Sequence, residues 1–197
     1  MPNEEVIWIE TYTGKRVNPL HLTPEDIDIK DIAHSLSLLC RFVGHCKRFY
    51  SVGQHSIHVS DLVHSYVAPL VGGSTTTTAI SIEDADRTSL AALLHDSAEA
   101  YVSDLARPVK HGFKMFMELE SVLLGIIMQK FNCVGVDWGL IKKMDNVALA
   151  TEAAQLMPSK GDGWYLPESP LASIFPSLKC EEVEGIFLAK YYKLGGK

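Results

Sequence analysis

Apolar side chains recur along most of this chain at intervals of three and four, the spacing of a helix with one buried face. The exception comes first. WIETYTGKRVNP alternates bulky and polar residues from Trp8 to Thr13, turns at Gly14 and meets Pro19, which predicts a short N-terminal hairpin or extended arm over about residues 1–20. Asp28 or Asp31 then caps a helix whose apolar positions Ile32, Leu36, Leu39, Phe42 and Val43 share a face, with Gly44 near its end. Ser51 opens a second helix with Gln54 as its capping-box partner, and Ile57, Val59, Leu62, Val63 and Tyr66 continue it. The GGSTTTT run from Gly72 to Thr78 is a loop. A third helix is predicted from about Asp84 or Asp86 through Leu90, Leu93, Leu94 and Ala98 to about Tyr101, stopping before Pro108. Further helices are expected at about 112–131, at about 137–157 with Asp137 as cap, and at about 180–193. Pro158 to Pro176 holds four of the nine prolines and reads as an irregular surface loop. With no internal repeat and no second domain in the pattern, the expected fold is all-α, a bundle of about six helices.

Composition narrows the function. At 197 residues, 47% of them apolar and 21% charged, the chain has material for one domain with a sizeable core. The net charge is −6, and the 18 basic residues do not cluster in blocks, which excludes broad attraction to nucleic acid or anionic lipid. An anionic ligand must be met by local cations. The longest uninterrupted apolar stretch, Val122 to Met128, includes a glycine and falls far short of the roughly 20 residues a bilayer requires, so no membrane span is expected. The opening MPNEEVIWIE has neither the basic start nor the apolar core of an export signal, which predicts a cytoplasmic protein. Cys40, Cys46, Cys133 and Cys180 show no CxxC spacing and suit reduced, largely buried thiols better than disulfides or a zinc knot.

The chemistry concentrates in HDSAEAYVSD, which places His95, Asp96, Glu99 and Asp104 within ten residues, directly after the apolar run LAALL. An unpaired carboxylate at the end of a buried segment is costly, so positive charge is needed there. Two groups on one helix cannot fill a metal coordination sphere, and the best further ligands are His55, early in the second helix, and Asp145, which interrupts the stripe Ile141, Met144, Ala148 and Leu149. Asp137 is the competing carboxylate, but it lies outside that stripe. The remaining histidines, His21, His34, His45, His58, His64 and His111, read as ordinary surface or core residues, His34 and His58 with the least margin.

The order His55, then His95-Asp96, then a distant Asp145 resembles the HD-domain superfamily of metal-dependent phosphohydrolases. HDSAEAYVSDLARPVK is similar to the HDxxE…DLxxPVK signature of its small nucleotide-hydrolysing branch, which contains bacterial 5′-deoxynucleotidases and phage dATP triphosphohydrolases. The resemblance spans roughly residues 31–157, and WIETYTGKRVNP with DIAHSLSLLCRF is similar to the phage-type members. It implies a single HD-type domain: an arm over about 1–20, a metal-site core over about 31–157, and a C-terminal loop and helix over about 158–197. By that resemblance His55, His95, Asp96 and Asp145 hold one divalent metal (Mn, Co, Zn or Fe, with Mg as a further option or as a second ion on the phosphates). Glu99 and Asp104 handle protons, and Lys110 meets phosphate. The family's arginine followed by an aromatic residue corresponds to Arg41-Phe42. Phe42 stands where tryptophan is usual, in the position whose ring presses on the sugar near its 2′ carbon, a departure that bears on deoxyribose selectivity. Lys47, Arg48 and Arg107 are further candidates for neutralising phosphate.

The implied activity is hydrolysis of deoxynucleoside 5′-phosphates by attack of metal-bound water at the α-phosphorus. The phage-like arm favours a dATP triphosphohydrolase releasing deoxyadenosine and triphosphate; a 5′-deoxynucleotidase acting on monophosphates is the alternative. A nucleotide-sensing or partner-binding HD protein is the non-enzymatic reading, and homo-oligomers are expected. The sequence has no Glu-x-x-His, HExxH or GxxxxGK[ST], which removes di-iron bundles, zinc proteases and P-loop nucleotidases.

Overall fold

The computed structural model describes residues 7–72, 80–172 and 176–197. The arm is a small antiparallel hairpin, β1 (Ile9–Glu10) against β2 (Arg16–Val17), with Ile9 opposite Val17. Among the described residues, everything regular after it is helical, so the fold is all-α. The principal helices are α1 (Ile29–Leu38), α2 (Val52–Val67), α3 (Ile82–Leu93), α6 (Lys114–Lys130), α7 (Trp138–Leu156) and α8 (Cys180–Lys193), with short α4 (Glu99–Val102) and α5 (Arg107–Lys110) before α6. No helix among the described residues is long and apolar enough to cross a membrane.

Helix α2 is the axis on which the others assemble, packing against α1, α3, α7 and α8. Its small residues allow close approach: Ser60 Oγ donates to the Ser89 carbonyl of α3 at 2.8 Å, and Gly53 sits against the backbone of Leu36 and Ser37 and the side chain of Val183. One apolar cluster joins Val17 of the hairpin, Ile32 and Leu36, Val59 and Val63, Leu93 and Leu94, Ile127, Ile141 and Phe187. The hairpin is tied down by Asp31, whose carboxylate accepts from the amide and hydroxyl of Thr13 at 2.7 and 2.9 Å. Asp31 is thereby taken up, and the cap of α1 is Asp28, which accepts from the Lys30 amide at 3.0 Å.

Several boundaries differ from the helical pattern, each for an identifiable reason. Helix α1 ends at Leu38 and does not reach Gly44, because a backbone bridge takes over: Val52 N donates to Leu39 O and Arg41 N to Tyr50 O, both at 2.9 Å. Phe42 and Val43 therefore lie in a separate short segment, Arg41–Gly44. Ser51 caps α2 by accepting from Gln54 N, but the Gln54 side chain does not close the capping box; its Nε2 donates to Pro176 O at 2.7 Å. The cap of α3 is Ser81, with Asp84 as the donor rather than the cap. The third helix does not run to Tyr101. It stops at Leu93, since His95 Nδ1 takes the Ala92 carbonyl at 2.8 Å, the acceptor a continuing helix would offer to the Asp96 amide. Pro108 opens α5 instead of merely ending a helix, as suits a proline in a first turn.

Residues 158–172 are irregular as expected, and the GGSTTTT run lies outside the described residues beyond Gly72. The thiols are less sequestered than the sequence suggested: Cys133 is buried, whereas Cys40, Cys46 and Cys180 are half-exposed because they sit at the ends of elements.

Candidate metal centre

Three separate elements deliver four side chains to one point. His55 comes from the first turn of α2, His95 and Asp96 from the tight turn between α3 and α4, and Asp145 from the middle of α7. His55 Nε2 lies 3.2 Å from Asp145 Oδ1 and 3.6 Å from Asp96 Oδ2, and His95 Nε2 lies 3.3 Å from the same Asp96 oxygen. Donor atoms sharing a first-row metal at about 2.1 Å stand about 3.0–3.4 Å apart, a range that holds the 3.2 and 3.3 Å separations and that the 3.6 Å separation of His55 and Asp96 exceeds. The residues His55, His95 and Asp145 form a group whose ligand atoms all lie within 4.8 Å of one another.

Both imidazoles are turned so that Nε2 faces this point. His55 Nδ1 lies 2.6 Å from Glu152 Oε1 and His95 Nδ1 lies 2.8 Å from the Ala92 carbonyl. Each partner is an acceptor, so each Nδ1 carries the hydrogen and each Nε2 is the atom left to bind something else. Both Nε2 atoms are buried and have no hydrogen-bond partner among the described residues. Buried polar atoms are nearly always satisfied, and two imidazole nitrogens without a hydrogen bond, aimed at one point beside two carboxylates, fit a metal ion.

The electrostatics also call for positive charge. Burial and Arg41 press the His55 imidazole downward, but the carboxylates of Glu152 and Asp145 outweigh them and hold it up to about 9. Burial pushes Asp96 and Asp145 upward, yet the surrounding imidazoles keep both well below the usual carboxylate range. Glu99, at the start of α4, behaves in the opposite way: burial, with Asp96 and Asp104 nearby, raises its carboxyl to about 9 despite Lys110. Lys110 Nζ bridges Glu99 Oε1 at 3.0 Å and Glu120 Oε1 at 2.6 Å, while Glu99 Oε2 is buried without a hydrogen bond. Asp104 is half-buried, near enough to act on both Glu99 and Arg41.

Arg41 is likewise shared between carboxylates, with Nε 3.2 Å from Glu152 Oε2 and Nη1 3.6 Å from Asp96 Oδ2. The Phe42 ring packs near Trp164 with centroids 6.0 Å apart and beside the buried Tyr50 and Leu156. Lys47, Arg48 and Arg107 have exposed side chains. Asp137 caps α7 by accepting from Leu140 N, which leaves Asp145 as the carboxylate at the site. Among the other histidines, His34 pairs with Glu184 at 2.9 Å and stacks on Tyr12, and His58 Nδ1 lies 2.7 Å from Tyr50 Oη.

Glu152 escaped the reading of the sequence. It is fully buried and accepts from Arg41, Tyr50 and His55 together. The available signal was its offset of seven residues from Asp145, about two helical turns, which puts both carboxylates on one face of α7.

The sequence is 30% identical to the Escherichia coli K12 protein YfdR over 191 residues, 95% of each chain. The chain belongs to the YfdR family. A Rhodobacter capsulatus protein is 33% identical over 156 residues, 76% of this chain and 72% of its own. Both relatives are described as uncharacterized. No family model matches the sequence.

Proposed function

We propose that this protein is a metal-dependent phosphohydrolase of the HD-domain type acting on deoxynucleoside 5′-phosphates. The observation that carries the reading is the pair of buried Nε2 atoms of His55 and His95, neither of them hydrogen-bonded, converging with Asp96 and Asp145. Those four residues would hold the cation, which would supply Lewis acidity and a more acidic water for attack on phosphorus. Glu152 and the Ala92 carbonyl fix the two imidazoles. Glu99 handles the proton of the reaction: its Oε2 is uncommitted, and Lys110 orients the carboxyl through Oε1. Asp104 modulates Glu99 by its charge, Arg41 and Lys110 neutralise phosphate, and Phe42 stands beside the sugar.

The resemblance in the arm favours dATP, cleaved to deoxyadenosine and triphosphate. A second reading, a 5′-deoxynucleotidase, is favoured by a specific observation. Arg41 and Lys110 are each already shared between two carboxylates, so they suit the smaller charge of a monophosphate better than that of a triphosphate.

The test is incubation of the purified protein with each dNTP, each dNMP and ATP under added Mn, Co, Zn or Mg, with nucleoside, phosphate and triphosphate resolved by chromatography. Triphosphate with deoxyadenosine from dATP establishes the first reading, and phosphate from monophosphates alone establishes the second. Absence of turnover with every metal overturns both in favour of a nucleotide-sensing or partner-binding protein. Binding of Co as tightly to a His95→Ala variant as to the parent overturns the ligand set.

A further inference from the structure

The segment between the bridge at Cys40 and the start of α2 contains an unusual backbone. Phe42 and Val43 have φ of 56° and 54°, and Gly44 follows at 77°, so three consecutive residues are left-handed. For residues with a Cβ this conformation is strained, and it persists only where the surroundings hold it. Here both ends are held. Cys40 bridges Ser51, Arg41 N donates to Tyr50 O at 2.9 Å, and Lys47 N donates to Leu156 O at 2.9 Å. The consequence of the left-handed turn is that the chain doubles back, and Cys46 Sγ comes to 4.0 Å from Cys40 Sγ.

Both thiols are half-exposed, and each also contacts the Arg41 carbonyl inside the turn, at 3.5 Å for Cys40 and 3.9 Å for Cys46. Sulfurs 4.0 Å apart lie within about 2 Å of the roughly 2.05 Å of a bond, on a segment whose two ends are held. Neither sulfur is placed to be a metal ligand, since no third histidine, cysteine or carboxylate joins them in a ligand group among the described residues.

We propose that Cys40 and Cys46 form a reversible disulfide site. The oxidant is a low-molecular-weight disulfide such as oxidised glutathione. One cysteine thiolate attacks a sulfur of that disulfide and expels one thiol, forming a mixed disulfide. The second cysteine thiolate then attacks the protein-side sulfur and expels the other. The two protein thiols lose two hydrogens and two electrons in all, and the small disulfide leaves as two thiols. The new bond closes a ring over residues 40–46 with Arg41 inside it. Arg41 links Glu152 to Asp96, so the ring would enclose the residue that presents this guanidinium. The inference stands on the turn and the sulfurs, independently of the proposed activity.

The test is equilibration of the full-length protein in a graded series of reduced and oxidised glutathione, followed by acid quench, alkylation, tryptic digestion and mass spectrometry. Trypsin cuts after Arg41, so the disulfide appears as peptides Asp31–Arg41 and Phe42–Lys47 joined and lighter by two hydrogens. The joined pair is expected in the parent and in Cys180→Ser, and absent in Cys46→Ser. Native-state formation is expected to raise the unfolding midpoint of the oxidised parent above that of the reduced parent, with no such rise in Cys46→Ser. The proposal is overturned if Cys40 and Cys46 stay free or carry separate glutathiones across the whole series, or if either joins Cys180 as readily as its neighbour.

Discussion

Glu152 Oε1 stands 2.6 Å from Nδ1 of His55, and neither side chain reaches solvent. The same carboxylate accepts from Arg41 and Tyr50, so one residue fixes the ring of a candidate ligand and offsets a buried guanidinium. Glu152→Gln keeps the shape and removes the charge. Its Mn or Co affinity, read by isothermal titration calorimetry, is expected to fall about 10–100-fold. Loss of the partner of a buried charge is also expected to lower stability by about 3–5 kcal/mol. Metal binding as tight as that of the parent would remove Glu152 from this role.

Glu99 lies next to the candidate centre without belonging to it. Glu99→Ala is expected to leave metal and nucleotide binding in place and to reduce turnover by about 100-fold or more, the scale of a lost general acid or base. Steady-state kinetics beside a metal titration separates the two effects. Unchanged turnover would contradict the proton-handling assignment.

His58 gives a pH dependence with a definite sign. Burial lowers its imidazole from 6.5 to about 4, although Glu152 and Asp61 oppose the shift. Tyr50 gives its hydrogen to Glu152, so His58 Nδ1 donates to the Tyr50 oxygen and the ring sits neutral in the fold. Between these two values the unfolded chain binds the proton and the folded chain does not, so stability rises with pH across the window and is lost as pH falls through it. The loss amounts to at most about 3 kcal/mol. His58→Asn retains a donor without a titratable ring, and urea unfolding at stepped pH is expected to show a shallower acid decline than in the parent. Equal slopes would refute the assignment.

Gly53 marks where α2 meets α1 and α8. A Cβ there would stand 3.1 Å from Leu36 C, Ser37 N and Val183 Cγ1. Two of those atoms are backbone and cannot swing away. Gly53→Ala is expected to destabilise the fold by about 1–3 kcal/mol, as overpacking does, and to disturb metal binding through His55 two residues on. Thermal unfolding of the variant checks the first effect, and a Co titration checks the second.

Periodicity was enough for the long helices that pack one face on the core: the expected spans 112–131, 137–157 and 180–193 agree closely with α6, α7 and α8. It was blind where side chains or distant backbone compete for helical hydrogen bonds. Leu39 and Phe42 continue the apolar spacing of α1, but Tyr50 and Val52 bond the backbone of Arg41 and Leu39 across an isolated bridge and pull the chain out of the helix. His95 fits the rhythm of α3, yet its ring takes the carbonyl that the next turn needs. At the centre itself, His95, Asp96 and Asp145 stood out because polar groups interrupted apolar runs. Glu152 did not, since a glutamate in TEAAQL looks like any exposed position of an alanine-rich helix.

Asp145 and Glu152 both project from α7, the first toward the cup of ligand atoms and the second behind the imidazole that completes it. The rod between them behaves as a ruler. Sliding or rotating it moves one wall of the cup and the brace of the opposite wall in the same step, so the two cannot drift apart independently. An extra residue inserted between these positions would turn one carboxylate by about 100° relative to the other and dismantle both at once. The irregular stretch over 158–172 has no such phase to keep, and changes of length are better absorbed there.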